Sequence, residues 1–363
     1  MERTAPTLAA GEMVGRYRIL RCIGVGAMGE VVLGVDESLG RRAALKLLGI
    51  KHLENETGRE RFLREARALA QLSHPNLITV YESGHVPANN RPYFAMELLE
   101  GGDTEKLLLE RGPLPSGVVA LIGAQTAAGL GEAARAAIIH RDVKPANLGI
   151  SGQGVLKVTD FSLAKSHAID RNLTAKGFVV GTADYIAPEQ ARGEALDERA
   201  DVYSLGCSLY HLLTGRPPYR ATGTEVQRYV EIMQSHVSAP VQDPRQAGVG
   251  PVDDELAQIV MSCMDKDRER RPTFEELAPA LLKVHRRVGG SLPRLTRPIF
   301  TLPSGVETRN ARAGTEEIDV PTSSELAAAE LSDELPRGRG ALAALVVTGA
   351  AVIAALTWWL TQR

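Results

Sequence analysis

The chain has 363 residues, of which 44% are hydrophobic, enough for one large two-lobed domain or two ordinary domains with a tail. Its net charge of −2 excludes a globally basic protein, so no nucleic acid partner is expected. The three cysteines lie far apart and form no C-x-x-C pair, which argues against a zinc site or a disulfide framework.

The first predicted elements are strands over 17–22, 30–35 and 42–47, separated by turns that contain glycine. An amphipathic helix follows over 59–72, with Phe62, Ala66, Leu69 and Ala70 on its apolar face. Two further strands are predicted over 77–81 and 93–96. Helices are then predicted over 118–137, 200–213, 256–264 and 274–284. The pattern indicates a small β-rich lobe followed by a larger helical lobe.

A G-x-G-x-x-G string occupies Gly24 to Gly29. In a dinucleotide-binding domain such a loop opens into a helix, whereas here a β-branched run without helical period follows over 30–33. The context favours a strand–turn–strand whose backbone N–H groups cover nucleotide phosphates. An ordinary glycine-containing hairpin is the alternative.

Lys46 lies in the apolar strand 42–47, where a lysine needs partners for its charge. ATP phosphates and a carboxylate would supply them, and Glu65 in the first helix is the best candidate. The alternative is that Lys46 lies at a strand end, in solvent.

The segment 140–147 is the most informative, because it places a carboxylate, a cation and an amide in one short loop, at Asp142, Lys144 and Asn147. Phosphoryl transfer needs a carboxylate for the attacking hydroxyl, a cation for the phosphate and an oxygen ligand for Mg²⁺. Asp160, after a predicted strand over 155–158, supplies a second metal ligand.

With these motifs, residues 17–287 resemble the eukaryotic-type (Hanks-type) serine/threonine protein kinases, particularly their bacterial membrane-anchored subgroup. The resemblance implies an α+β bilobal fold, with a β-rich N-lobe and a helical C-lobe. It implies Asp142 as the catalytic base, Lys144 and Lys46 on phosphates, Glu65 as the partner of Lys46, and Asn147 and Asp160 as metal ligands. The implied nucleotide-binding residues are Gly24, Val25, Gly26, Gly29, Val31, Ala44, Lys46, Met96, Glu97 and Leu99. Among them Met96 is the gatekeeper, and the backbone of 97–99 is the hinge that binds adenine.

The resemblance also assigns structural roles. Glu189, which closes the activation segment, pairs with Arg271, and Asp201 holds the catalytic loop. Gly181 and Thr182 resemble the strip beside the acceptor residue in the serine/threonine group.

Two positions depart from the family pattern. Ser162 replaces the glycine that usually follows Asp-Phe, which affects the conformational freedom of the segment. Gly149 replaces the leucine or methionine that forms the floor of the adenine site. The missing side chain removes an apolar contact of about 1–3 kcal/mol, so weakened nucleotide binding is expected.

Regulation is predicted at Arg141 and Thr174. An arginine before the catalytic aspartate usually meets a phosphorylated residue, and Thr174 lies between Arg171 and Lys176. Thr174 is therefore the predicted autophosphorylation site, and the alternative is an ordinary loop residue.

The C-terminal part predicts membrane attachment. An N-terminal extension (1–16) and the kinase domain (17–287) precede a flexible linker (288–340), an uncharged helix (341–360) and a short tail (361–363). Arg337 and Arg339 before the helix predict that the kinase domain is cytoplasmic, and three residues leave no room for an external sensor. A buried helix is the alternative for 341–360. Small residues four apart, such as Ala350 and Ala354, are weak support for a homodimer through this helix.

The predicted function is transfer of the ATP γ-phosphate to serine and threonine hydroxyls of protein substrates, with Mg²⁺, or alternatively Mn²⁺, as cofactor. Two alternatives are a membrane-tethered pseudokinase scaffold, suggested by Ser162 and Gly149, and a small-molecule phosphotransferase. The segment 181–189, which builds a peptide-accepting surface in the family, argues against the latter.

Overall fold

The computed structural model describes residues 7–26, 29–50, 53, 56–161, 180–247 and 250–293. All of them lie in one compact unit, Met1–Leu302. Several predicted features lie outside the described residues: Ser162, Thr174, most of the linker, and the helix over 341–360.

An antiparallel six-stranded sheet builds the N-lobe, in the spatial order β1-β2-β3-β4-β6-β5. Its strands are β1 (Met13–Val14), β2 (Tyr17–Gly26), β3 (Gly29–Asp36), β4 (Arg41–Leu48), β5 (Val80–Val86) and β6 (Arg91–Met96). A separate hairpin of β7 (Leu148–Ile150) and β8 (Leu156–Val158) lies in the C-lobe. The strands predicted over 17–22, 30–35, 42–47 and 93–96 are all present.

Of the helices in the described ranges, one belongs to the N-lobe and seven to the C-lobe. They are α1 (Glu56–Ala70), α2 (Thr104–Arg111), α3 (Ser116–Arg135), α4 (Pro188–Ala191), α5 (Arg199–Thr214), α6 (Glu225–Ser238), α7 (Asp254–Cys263) and α8 (Phe274–Val288). Capping residues determine where several of these helices begin or end. Thr273 and Glu276 form a capping box at the start of α8, and Gly215 ends α5 in the left-handed conformation.

The C-lobe core forms around α3, which packs against α5 and α8. Gly123 allows the close approach, since a Cβ there would lie 2.8 Å from a methyl of Leu281 and 2.9 Å from one of Leu209. Among the described residues α3 is also the helix long and apolar enough to cross a membrane, but 67% of that stretch is buried. Its apolar character is therefore explained by the protein core.

Two sequence-based assignments are corrected by the structure. The strand predicted over 77–81 begins only at Val80, because Leu77 and Ile78 are buried in the C-lobe core and the N–H of Ile78 donates to the carbonyl of Val158 in β8 instead. Ala70, predicted on the apolar face of α1, is exposed, because the helix ends there. Helices α2, α4 and α6 were not predicted individually.

A buried ion pair crosses the N-lobe sheet. Arg91 Nη1 lies 2.6 Å from Glu30 Oε1, and the two side chains are 2% and 4% exposed. Thr7 bonds to both residues, and Arg91 also donates to the carbonyl of Leu48. Burial would raise the pKa of Glu30, but the hydrogen bonds from Thr7 and Arg91 outweigh it and hold this pKa below its ordinary value. The pair fixes β3 immediately after Gly29 at the end of the glycine-rich string.

We predict that Arg91→Met destabilises the protein by about 3–5 kcal/mol, because Glu30 would remain buried without its cation. Arg18→Met is the matched control, since Arg18 lies 2.6 Å from Glu37 but the two side chains are 48% and 55% exposed. Arg18→Met should lower the free energy of unfolding by only about 0–1 kcal/mol. Urea unfolding followed by circular dichroism measures both, and equal losses would contradict the role given to burial.

Candidate active site

Lys46 on β4 bridges two carboxylates from distant parts of the chain. Its Nζ lies 2.8 Å from Glu65 Oε1 on α1 and 2.8 Å from Asp160 Oδ1 after β8. Burial would lower the pKa of Lys46, but Asp160 and Glu65 outweigh burial and raise it, so the lysine stays charged. This arrangement excludes the alternative of a solvated lysine at a strand end.

The glycine-rich string forms the hairpin between β2 and β3, with Gly24 paired to Val31 and Gly26 to Gly29. A side chain at Gly29 would overlap the carbonyl oxygen of Leu47, and its φ of +154° is left-handed. Val25, the second residue of the string, is exposed. The string is thus part of the sheet and opens into a strand, as predicted.

Beneath this hairpin lies one face of β4. Ala44 and Lys46 are two residues apart and therefore share it, and Val31 is paired with Lys46 on the neighbouring strand. Ala44 is also paired with Met96 at the end of β6. The chain then continues through Glu97, whose N–H donates to the carbonyl of Thr79 at 2.9 Å, towards Leu99. These pairings place Val31, Ala44, Lys46 and Met96 on neighbouring strands beside the glycine-rich hairpin. The region between this part of the sheet and the β7–β8 hairpin is called the cleft.

The loop before β7 brings together the three polar groups predicted there. Lys144 Nζ donates to Asp142 Oδ2 at 2.8 Å, and Asn147 Nδ2 donates to Asp142 O at 2.8 Å and to Oδ2 at 3.2 Å. Since its amide nitrogen is directed at Asp142, Asn147 retains its side-chain oxygen for a cation. Asp160 likewise uses Oδ1 for Lys46 and retains Oδ2. These hard oxygen donors fit Mg²⁺ chemically.

Asp201 supports this loop from within the C-lobe. Asp201 lies in the first turn of α5. Its carboxylate accepts the backbone N–H of His140 at 2.6 Å and that of Arg141 at 2.8 Å. These bonds hold Arg141 at a φ of +65°, which is unfavourable for arginine. Complete burial raises the pKa of Asp201 to about 7, although the two N–H groups oppose the shift.

Asp160 is held by the residues on each side of it. Its φ is +54°, and the next residue, Phe161, is buried with its ring 4.5 Å from the ring of His140. His140 Nε2 bonds to the carbonyl of Thr159 at 2.8 Å, while Nδ1 accepts the N–H of Asp142 at 3.2 Å. These bonds fit an imidazole that donates from Nε2 and accepts at Nδ1. The imidazole therefore joins the segment of Asp142 to that of Asp160.

The pairing of Glu189 with Arg271 is present and completely buried. Arg271 Nη1 and Nη2 bind the two carboxylate oxygens of Glu189 at 2.6 and 2.8 Å. The neighbouring Gln190 donates through Nε2 to the carbonyl of Arg141 at 3.2 Å. Segment 188–191 is therefore joined directly to the catalytic loop.

Sequence reasoning missed Gln190, His140 and Thr159. The position of His140 and Thr159 next to predicted site residues was a usable signal, whereas nothing in the sequence indicated that Gln190 would reach a backbone carbonyl 49 residues away. Of the regulatory pair, Arg141 lies on this loop and Thr174 lies outside the described residues.

Comparison with known proteins agrees with this geometry. The protein kinase domain family matches residues 17–280. The chain is 39% identical over 281 residues to the "Probable serine/threonine-protein kinase PknB" of Bifidobacterium longum, covering 75% of this chain and 39% of that protein. It is 37% identical over 273 residues to the "Serine/threonine-protein kinase PknB" of Mycobacterium leprae, covering 74% and 43%. The chain thus spans about two fifths of the length of these relatives.

A solved structure is also similar. The PknI kinase domain of Mycobacterium tuberculosis superposes with a TM-score of 0.58 at 27% identity, covering 77% of this chain and all of the other. The bilobal fold predicted from the sequence is confirmed.

Replacing Asp201 by asparagine should destabilise the protein most at acidic pH. The pKa of Asp201 is raised in the fold, so its contribution to stability is fully present below its ordinary pKa of 3.8 and is lost as the pH rises through about 7. Asparagine does not titrate, and it leaves one buried N–H without an acceptor. This should lower the free energy of unfolding by about 1–3 kcal/mol. The difference in free energy of unfolding between wild type and variant should therefore narrow between pH 4.5 and pH 8.

Urea titrations at these two pH values measure the difference. Asp197→Asn is the reference, because the carboxylate of Asp197 also accepts a backbone N–H, from Arg199, but is partly exposed. A difference for Asp201→Asn that stays constant or widens with pH would contradict the prediction.

Proposed function

Since the chain belongs to the protein kinase family, we propose that it transfers the γ-phosphate of ATP to serine and threonine hydroxyls of proteins. The observation that carries this proposal is the bridge from Lys46 to Glu65 and Asp160, at 2.8 Å each. It joins a strand, a helix and the end of a hairpin that are separated by up to 114 residues.

The proposed roles follow from the bonds. Asp142, oriented by Lys144 and Asn147, accepts the proton of the attacking hydroxyl, and Lys144 contacts the transferred phosphate. Lys46, oriented by Glu65, binds the other phosphates under the glycine-rich hairpin. Asn147 and Asp160 would hold Mg²⁺, with Mn²⁺ as an alternative, and the ion when bound neutralises phosphate charge.

The serine/threonine specificity is supported by the similarity to two serine/threonine-protein kinases and by Lys144, the residue type of the serine/threonine group. The pseudokinase alternative has no support in the described site or in the comparisons. The small-molecule alternative is disfavoured because the end of the segment that would accept a peptide is fixed in place: Glu189 is buried against Arg271, and Gln190 bonds to the loop 140–147.

We further propose that residues 341–360 anchor the chain in a lipid bilayer with the kinase domain in the cytoplasm. The support is the uncharged sequence of this segment and the arginines that precede it. Dimerisation through the same segment rests on its small-residue spacing alone.

The proposal predicts that Asp142→Asn abolishes most phosphate transfer while Mg·ATP still binds. Loss of a general base should reduce the rate by about 10²–10⁴-fold, and asparagine preserves the shape of the side chain. Transfer of labelled phosphate from ATP to the chain itself and to a generic basic protein measures the rate. Asp243→Asn, which removes a carboxylate that caps a short turn elsewhere, is the control. A wild-type protein that binds Mg·ATP but transfers nothing would instead favour the scaffold.

Autophosphorylation is proposed at Thr174, with Arg141 as the residue that meets the phosphate. Incubation with Mg·ATP should give a phosphopeptide that contains Thr174, and Thr174→Ala should lower the transfer rate. Thr182→Ala is not a suitable control because Thr182 belongs to the acceptor strip, so Thr224→Ala on the surface serves instead. An unmodified Thr174 in a fully active protein would contradict this proposal.

A further inference from the structure

The floor of the cleft has a glycine where a side chain is expected. In β7, Leu148 and Ile150 are fully buried in the C-lobe core, and alternation directs position 149 to the opposite side. That side is occupied by Leu99. A side chain at 149 would overlap Leu99 Cδ1, and its Cβ would lie 3.6 Å from Leu99 Cγ and 3.5 Å from Thr159 Cγ2.

Leu99 is held in this place by the backbone that follows it. The N–H of Gly101 donates to the carbonyl of Ile150 at 2.8 Å, and the N–H of Ile150 donates to the carbonyl of Gly102 at 2.9 Å. The approach requires glycine, because a Cβ at 101 would lie 2.6 Å from that same oxygen of Ile150. This pair of bonds clamps the end of the hinge onto β7, two residues from Leu99 and one from Gly149.

The roof of the cleft is the face of β4 that carries Ala44 and Lys46, with Val31 of β3 beside it. A base whose phosphates are bound by Lys46 and whose edge meets the backbone of 97–99 must lie between this roof and the top of β7. The apolar atom closest to position 149 is Cδ1 of Leu99. The hinge leucine therefore occupies the volume that a side chain from β7 would otherwise fill.

We propose that Leu99, reaching over Gly149 from the hinge, forms the apolar floor of the adenine site. The inference rests on the proposed function, and it assigns to Leu99 the selection of the base. It replaces the expectation that Gly149 weakens nucleotide binding, because the apolar contact is supplied by a different residue. Leu99 and Gly149 then form a complementary pair, in which a large side chain is accommodated at one position or the other.

The test is a double-mutant cycle on Mg·ATP binding to the full chain. Leu99→Ala removes most of the floor and should weaken binding about tenfold, the effect of losing a little less than two buried CH₂ groups. Gly149→Leu adds a side chain that overlaps Leu99, and it should also weaken Mg·ATP binding about tenfold. The double variant restores one large side chain, so binding should return to within about threefold of wild type. An additive loss of about a hundredfold would overturn the proposal.

A second probe separates the floor from general damage to the fold. Mg·tripolyphosphate lacks the base, so Leu99→Ala should leave its affinity unchanged while the affinity for Mg·ATP falls. Equal losses for both probes would assign Leu99 a structural role and overturn the proposal. This arm also remains decisive if Gly149→Leu fails to fold. Leu109→Ala is the control for leucine truncation, because Leu109 on α2 is 79% exposed.

Failure of the inference is distinguishable from failure of the proposed function. If the wild type binds Mg·ATP and transfers phosphate but Leu99→Ala binds normally, Leu99 is not the floor and the kinase activity stands. If the wild type binds Mg·tripolyphosphate and Mg·ATP equally, the cleft has no adenine site, and both proposals fall.

Discussion

One buried cation holds the two lobes of this protein in register. Lys46 comes from the central part of the N-lobe sheet, Glu65 from the only helix described in that lobe, and Asp160 from the C-lobe side of the cleft. A lysine in such a place is stable as a cation only if both carboxylates are near, since burial alone favours its neutral form. The packing of α1 against the sheet and the position of the segment after β8 therefore both depend on the charge of Lys46.

The C-lobe must in turn hold Asp160 and Asp142 in unfavourable surroundings. Arg141, which precedes Asp142, and Asp160 itself have left-handed backbone conformations, which persist only where neighbouring bonds determine them. Asp201 below the loop and His140 within it provide these bonds, and both act through backbone groups. The rigid α5 helix thus sets the geometry of a loop that local preference alone would not adopt.

The parts of the site that could be predicted from sequence are those encoded by short spacings. The loop 140–147 and the string from Gly24 to Gly29 place their groups within a few residues, so local chain geometry suffices. Contacts between distant segments were predicted where a lysine in an apolar strand needed a partner, as for Lys46, or where a family pattern supplied one, as for Glu189 and Arg271. The buried pair of Glu30 and Arg91 was missed, because no local signal shows that two charges 61 residues apart will meet inside a sheet. Leu77 was placed in the wrong lobe for a related reason: a short apolar run indicates burial but not which core receives it.

Gly149 shows why a departure from a family motif has to be interpreted through its spatial neighbours. Taken along the sequence, a glycine in place of a leucine removes an apolar contact and suggests a weakened site. In the fold the vacated volume is filled by Leu99, which comes from a segment that no motif connects to β7. Protein interiors are closely packed, and atoms that line an empty space lose favourable contacts. A neighbouring side chain is therefore expected to fill the space that a smaller residue leaves. The glycine at 101, which permits the hinge to approach β7, is then part of the same arrangement. Three positions that look unremarkable or deficient one by one together build a continuous apolar surface beneath the cleft.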